Sequence, residues 1–432
     1  MGLDMEVPRY QELHGTGTFS KAGENFTSEF LLLRNPHWMG VLTRVEEKKT
    51  ALRLSMSIHD GSSWQLRGTL QGGRPILSDS LVNTGYAESP YNLGFSIFET
   101  LFLGKSLDEP PLWSEFPLIN YFEGAISVIH GDWQLDIFPD PSRLHTQYLT
   151  RQWNLPAEGM TLRCVRPDST RDDHLDMARS VMILASLALG MGVSNHRHVL
   201  GWKSATLETW RFMIGDELGP GPVVPARNMS SFLSVALPAF ESLTPDKKEL
   251  IRLTISYINL SEIGYLDTRI LGIVQAWEFL SAAWVPRLPL PDDLLCLRSR
   301  LTRLLKDWRQ DHKRSDPDGF WGNRVLSALD WARLNQQLQE FAAVWGVDLE
   351  VLGIDLSLLR RFRDSVAHEG SLPRMPSGDS KTRYDLLRNA RHALRLILLQ
   401  ILGYRGPVLA NKGGWKTSVA MDDALRGKYG AV

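Results

Sequence analysis

The spacing of hydrophobic and polar positions divides the chain into a front that reads as strands and a back that reads as helices. Up to about residue 165, short runs rich in β-branched and aromatic residues, some of them alternating, are separated by turn residues. The runs 26–34 (FTSEFLLLR), 38–47 (WMGVLTRVEE), 50–58 (TALRLSMSI) and 63–71 (SWQLRGTLQ) predict strands, and further strands are expected over 92–102, 125–129 and 133–138. His59-Asp60-Gly61-Ser62 and Gln71-Gly72-Gly73-Arg74 predict turns, as does Gly15-Thr16-Gly17. Short strands this closely spaced imply an antiparallel sandwich or a curled sheet.

The stretch 166–244 mixes signals. Asp172-Asp173-His174 leads into LDMARSVMILASLAL, an expected helix with acidic residues in its first turn and Gly190 after its end. Residues 196–214 predict one or two strands, and Gly-Pro-Gly-Pro-Val-Val-Pro at 219–225 a loop or linker. From Thr244-Pro245 onward the period is helical. Leu266, Ile270, Ile273, Val274, Trp277 and Leu280 trace one stripe of a central helix over 264–283, stopped by Pro286, Pro289 and Pro291. Leu297, Leu301, Leu304, Leu305 and Trp308 form a face of the next helix, with Arg298, Arg300, Arg303, Lys306 and Arg309 on its other sides. A hydrophilic loop is expected over 311–322, then helices over 328–345, 356–369 and 381–403. The expectation is therefore an α+β protein: a β-rich region over 1–165, a mixed α/β bridge over 166–244, an all-helical bundle over 245–404 and a tail over 405–432.

Composition narrows the class without naming a function. Of 432 residues, 43% are hydrophobic and 22% charged, which is ordinary for a globular protein. A formal net charge of −1 means that any nucleic-acid site must come from local clustering of Arg and Lys. Cys164 and Cys296 are too far apart in sequence to read as a metal-ligand pair, and imply reduced thiols in a reducing compartment. The first residues carry no basic start and no apolar run, and no apolar stretch approaches a membrane span, so a cytoplasmic protein is expected. No metal or other cofactor is implied.

Candidate chemistry concentrates on 358–370, LLRRFRDSVAHEG. Leu358, Leu359, Phe362 and Val366 give the apolar stripe of a helix, and Gly370 is its expected stop, so His368 falls in the last turn. Arg363 and His368 lie about 140° apart around such a helix. A second copy packed across a twofold axis would gather two arginines and two histidines. RNA carries its own nucleophile, the ribose 2′-OH. A histidine can take that proton, a protonated histidine can return one to the departing 5′-oxygen, and a guanidinium can stabilise charge on the phosphoryl oxygens. Arg followed at similar spacing by His also occurs at Arg9–His14, Arg53–His59 and Arg361–His368, so the pattern alone is weak. Only the 363–368 pair has its own helix among other helices. The alternative is a helix-end histidine favoured by the helix dipole beside a solvated arginine.

These residues resemble the HEPN superfamily, whose ribonucleases carry an R-x(4–6)-H motif on a late helix. The matching segment is Arg363-Asp364-Ser365-Val366-Ala367-His368, with Asp364 at a polar position often filled by Asn. Residues 270–280 (ILGIVQAWEFL) resemble the "LVQALE-L" helix of ApeA-like members, with Trp277 where a Leu is usual, and 386–403 resembles their last helix. Gly68-Thr69-Leu70 with Gly72-Gly73 loosely resembles the β-rich domain that accompanies them. The resemblance implies an anti-phage or toxin-like endoribonuclease acting on RNA, tRNA included, and dimerising through its HEPN helices. It implies Arg363, His368 and Asp364 as catalytic residues, Glu278 as a supporting acid, and a front domain that senses a phage-derived trigger protein. A structural ion pair is an equal reading of Glu278. Arg360 and Arg361, beside the motif, are the expected phosphate contacts, with Arg303 and Lys306 on the more distant basic face; Asp307 and Asp311 make a merely solvated face the simpler reading there. Some HEPN modules do not cut RNA, so a binding or dimerisation module of a defence or toxin–antitoxin complex is the rival. His196 and His198 would share one side of a strand, without an evident third metal ligand. Gly413-Gly414-Trp415-Lys416-Thr417 lacks the glycine directly before lysine that a phosphate loop needs.

Overall fold

The computed structural model describes residues 11–21, 24–34, 39–43, 64–86, 93–97, 100–103, 110–119, 124–139, 158–195, 197–202, 206–210, 221–261, 265–285, 292–311, 336–369, 380–412 and 415–429. The architecture is α+β, with antiparallel strands leading and helices following. Two compact units form, Met1–Met182 with Val193–Asp216, and Ile183–Gly192 with Glu217–Val432.

The first unit holds β1 (Gln11–Lys21), β2 (Glu24–Arg34), β3 (Met39–Thr43), β4 (Trp64–Leu70), β5 (Pro75–Tyr86), β6 (Leu93–Ile97) and β7 (Thr100–Leu103). It continues with β8 (Trp113–Ile119), β9 (Ile126–His130), β10 (Trp133–Pro139), β11 (Glu158–Val165), β12 (Arg197–Gly201) and β13 (Thr206–Trp210). The order β4-β1-β2-β3-β6-β5 closes on itself because β5 also pairs with β4, so these strands make a ring in which each has a neighbour on both edges. From β5 the sheet runs on through β7-β13-β12-β8-β11-β10-β9. The ring encloses Phe19, Phe30, Leu32, Val41, Trp64, Leu66, Leu70, Ile76 and Leu81. The alternation of β4, with Trp64, Leu66 and Leu70 inward, is the period-2 pattern its sequence shows.

Two expectations need adjusting. Gly15-Thr16-Gly17 is not a turn but the middle of β1, with Gly17 opposite Gly68 of β4. A Cβ on Gly15 would come within 2.5 Å of the Phe30 ring, and one on Gly68 within 2.4 Å of the Thr16 carbonyl, so glycine here lets backbones and an aromatic ring approach closely. The single strand expected over 92–102 is two, β6 and β7, which both pair with β5 but have β3 and β13 respectively as the other neighbour. Residues 50–58 and the turn 59–62 lie outside the described residues. The turn at 71–74 joins β4 to β5, with Gly72 and Gly73 at φ 97° and 81°, where only glycine sits without strain.

Helix α1 (Arg171–Leu189) starts in this unit. Its His174 is fully buried, with Nδ1 2.8 Å from Ser114 Oγ and Nε2 2.8 Å from Ser169 Oγ. Ser169 donates its hydrogen to the Arg166 carbonyl at 2.9 Å, so it accepts from Nε2–H, and Nδ1 is left to accept from Ser114. The neutral ring is thus satisfied at both nitrogens. Burial pushes its pKa below the ordinary value, while the Pro111 carbonyl and Asp173 pull the other way.

The second unit contains α2 (Met229–Glu241), α3 (Pro245–Leu260), α4 (Leu266–Trp284), α5 (Asp292–Asp311), α6 (336–344), α7 (Leu356–Glu369) and α8 (Ser380–Ile401), then a hairpin of β14 (Val408–Lys412) and β15 (Trp415–Val419), and α9 (Met421–Leu425). The segment 166–244 therefore supplies strands to one unit and α2 to the other. Helices α4 and α8 are central: Ile270, Ile273, Val274, Ala276, Trp277 and Leu280 of α4 and every residue over 390–399 of α8 are buried. The Trp277 indole donates to the Ala390 carbonyl at 3.2 Å and stands edge-on to Phe341. Two arginines of α8 serve helix ends. Arg391 donates to the Ser261 carbonyl at the end of α3 at 3.4 Å, and Arg395 to the Gly221 carbonyl at 2.9 Å and to Leu187 near the end of α1 at 3.4 Å.

Candidate functional site

Helix α7 begins at a side-chain cap: Asp355 accepts from the Ser357 hydroxyl at 2.7 Å and the Leu358 amide at 3.0 Å. Leu356, Leu359 and Phe362 are buried, whereas Leu358 and Val366 are only half-buried, so the inner face is turned slightly from the stripe the sequence suggests. This rotation carries Arg360 inward, 9% exposed, and aims Arg363 at α4.

Arg363 is the hub. One terminal nitrogen donates to Asp364 at 2.8 Å and the other to Glu278 of α4 at 3.1 Å. The Arg360 Nε lies 3.8 Å from the other Asp364 oxygen. Two guanidiniums and two carboxylates thus share one patch, with side chains between 11% and 26% exposed. Burial works against the Arg363 cation, but the hydrogen bond to Asp364 and the charge of Glu278 outweigh it and raise its pKa. For Glu278 burial dominates and raises the carboxyl pKa although Arg363 pulls it down. The two directions disagree about how well the pair suits its members. Geometry explains this: Arg363 has an acceptor for each terminal nitrogen, whereas Glu278 Oε1 is buried without a hydrogen-bond partner.

His368 is exposed, one turn beyond Asp364 on the same side of α7, and no hydrogen bond ties its ring to a described residue. Arg361 is exposed as well, whereas Arg360, the other expected phosphate contact, is 9% exposed with its Nε towards Asp364. Arg303 and Lys306 are exposed on α5, and among the described residues nothing bonds them to α7. Spacing gave no hint of Arg383 of α8, whose guanidinium lies 5.3 Å from the centre of the Phe362 ring and adds a cation beside the motif. Of the competing Arg/His pairs, His14 is exposed on strand β1, while Arg9, Arg53 and His59 lie outside the described residues. His198 is buried with its ring stacked on Phe116; His196 is outside the described residues. Among the described residues no three His, Cys, Asp or Glu side chains gather as metal ligands, and no helix is long and apolar enough to cross a membrane.

No protein-family model, curated protein or solved structure matches the chain. Of the five N–H groups of Arg363, two are taken; the others have no acceptor among the described residues, and the side chain is 26% exposed. A guanidinium held from behind by two carboxylates, with N–H groups to spare, can receive an anion, and an exposed imidazole farther along the helix can exchange a proton with it.

Proposed function

We propose that the helical unit is a metal-independent endoribonuclease of the HEPN kind, with Arg363 and His368 as its catalytic residues, Asp364 and Glu278 orienting Arg363, and Arg361 contacting the RNA backbone. The observation that carries this reading is the Glu278–Arg363–Asp364 bridge on the helix that presents His368 to solvent. His368 accepts the proton of the ribose 2′-OH as its oxygen attacks the adjacent phosphorus. The bond to the 5′-oxygen breaks, and that oxygen takes a proton from the partner's His368, leaving a 2′,3′-cyclic phosphate and a 5′-OH. Arg363 stabilises the charge growing on the non-bridging oxygens. Because the nucleophile belongs to the substrate, the chemistry asks nothing of a metal. The active species is a homodimer in the cytoplasm, acting on RNA, with tRNA a natural test substrate. The β-rich unit is the sensor of a phage-derived trigger, and the whole is a toxin-like effector of anti-phage defence.

The test is cleavage of total RNA and tRNA by purified protein in excess EDTA. Cutting that persists, leaves cyclic phosphate ends and fails on a substrate with a 2′-deoxy sugar at the scissile position is the expected result. Activity lost to EDTA and restored by a divalent ion would sink the mechanism. The rival is a non-catalytic binding or dimerisation module, and the occupation of both Arg363 terminal nitrogens by carboxylates favours it. It predicts RNA binding or partner capture with no cleavage at any protein concentration.

A further inference from the structure

One face of the sheet over β8, β11, β10 and β9 carries charges that do not close on one another. Glu115, Arg163 and Asp136 stand directly opposite each other across β8, β11 and β10, with Ser127 of β9 beyond Asp136. The Arg163 guanidinium leans toward β8: its carbon lies 5.4 Å from the centre of the Trp113 ring, and its Nε 3.8 Å from Glu115, outside hydrogen-bond reach. Trp113 is itself held in place, because it lies against Gly201 of β12, where any Cβ would overlap the indole. The Arg163 Nε is buried without a hydrogen-bond partner. No described residue accepts from the remaining N–H groups either, although the side chain is 42% exposed. Asp136 accepts one bond, from the Gln134 amide at 2.8 Å, and its other oxygen has no partner among the described residues. Arg163 and Asp136, with Ser127, Phe138, Ala125 and Ile126, line an open pocket of about 570 Å³, a volume suited to a small molecule.

We propose that this pocket binds a free α-amino acid with an apolar side chain. Its carboxylate meets the Arg163 N–H groups, its ammonium the unbonded Asp136 oxygen, and its side chain the half-buried Phe138 ring. Charge selects the zwitterion. The row holds two carboxylates and one guanidinium, so a phosphate or a dicarboxylate would add negative charge where negative charge is already in excess. An amine alone would satisfy Asp136 and leave the guanidinium unmatched, and a carboxylic acid alone would do the reverse. Phe138, Ala125 and Ile126 supply the apolar wall. The pocket lies wholly in the β-rich unit, so the inference stands apart from the ribonuclease reading.

Isothermal titration of the full chain with L-phenylalanine measures the binding. A Kd below ~1 mM is expected. Hydrocinnamate, which lacks the ammonium, and phenethylamine, which lacks the carboxylate, should each bind at least ~10-fold more weakly. Arg163→Met and Asp136→Asn should weaken L-phenylalanine by a similar factor while leaving the circular dichroism unchanged. No binding of L-phenylalanine at ~10 mM overturns the proposal. So does phenethylamine, hydrocinnamate or inorganic phosphate binding as tightly as L-phenylalanine, since the site would then read a single charge. Undiminished binding in both folded variants would place the amino acid elsewhere and overturn it as well. Should a variant misfold, the series of analogues on wild type decides.

Discussion

Helices α7 and α8 of the same unit both carry arginines beside histidines, yet they hold them in opposite surroundings. On α8, Arg391, His392 and Arg395 are 5%, 2% and 1% exposed. Burial, then the charges of Arg395, Arg391 and Arg388, push the His392 pKa down to about 3, and neither ring nitrogen has a hydrogen-bond partner. Such a ring stays neutral wherever the protein is folded and cannot hand a proton to anything. Its neighbouring arginines reach carbonyls at the ends of other helices. On α7, Arg363 meets carboxylates instead, and His368 faces water. What separates the two is where each helix sits. A helix buried on all sides turns its cations into ties between helices, whereas one at the edge of the bundle can offer them to a ligand.

The largest expected effect lies on α7. His368→Ala should lower cleavage ~10²–10⁴-fold, the usual worth of a general base, with Arg363→Ala similar through the phosphoryl charge. Because His368 is exposed, stability should stay within ~1 kcal/mol of wild type, checked by urea unfolding. Wild-type cleavage by a folded His368→Ala protein would hand the site to the binding-module reading.

The mirror-image experiment is on α8. Arg395→Met removes the donor that serves Gly221 and Leu187, and should lower stability by ~2–4 kcal/mol with no change in cleavage per folded molecule. An activity loss with unchanged stability would show that α8 belongs to the site after all. A smaller loss, ~1–2 kcal/mol, is expected for Trp277→Leu, which gives up the bond to Ala390 and opens space against Phe341.

These contrasts were unevenly legible in the sequence. The expected bounds of α7, 356–369, agree with the structure because an apolar stripe and the glycine after it point to the same helix, and the Asp355 cap that starts it emerges only in the structure. The Glu278–Arg363 bridge could be suspected, since an acid on an apolar helix needs a partner, though which arginine it meets depends on how α7 is turned. How far Arg360 turns inward was not legible for the same reason: it lies about 130° around the wheel from the middle of Leu359 and Phe362, yet the residue is only 9% exposed. In the β-rich unit the ring closure was not legible, because it rests on pairing between β4 and β5 and on glycines whose lack of a side chain hides the alternation of β1. The Ser114–His174–Ser169 chain brings in Ser114 from 60 residues away, and no local pattern announces it.

That chain extends the comparison to pH. His174 is held neutral, with a folded pKa below the ordinary 6.5, so the unfolded chain takes up the proton first as the solution is acidified. Stability should therefore be fully present above about pH 6.5 and be lost as pH falls toward the folded value, a dependence that His174→Gln should flatten. Thermal melting from neutrality to mild acid measures it. A wild-type curve no steeper than the variant's would mean that the ring is not the group that titrates.

The smallest effect is the most discriminating. His14 follows Arg9 at the same spacing as His368 follows Arg363, so a rule based on sequence spacing alone treats the pairs as equal. In the structure His14 is an exposed residue of β1 opposite Leu31, and its carbonyl accepts from the Gln71 amide, a bond that no side-chain substitution touches. Successive strand side chains alternate between faces, and no described carboxylate is bonded to the His14 ring as Glu278 and Asp364 are to Arg363. His14→Ala should change neither cleavage nor, beyond ~0.5 kcal/mol, stability. The measurement is the same RNA assay run beside His368→Ala. If His14→Ala lost cleavage while His368→Ala kept it, exposure and pairing on α7 would not be what marks the reactive histidine, and the catalytic assignment would have to move to the β-rich unit.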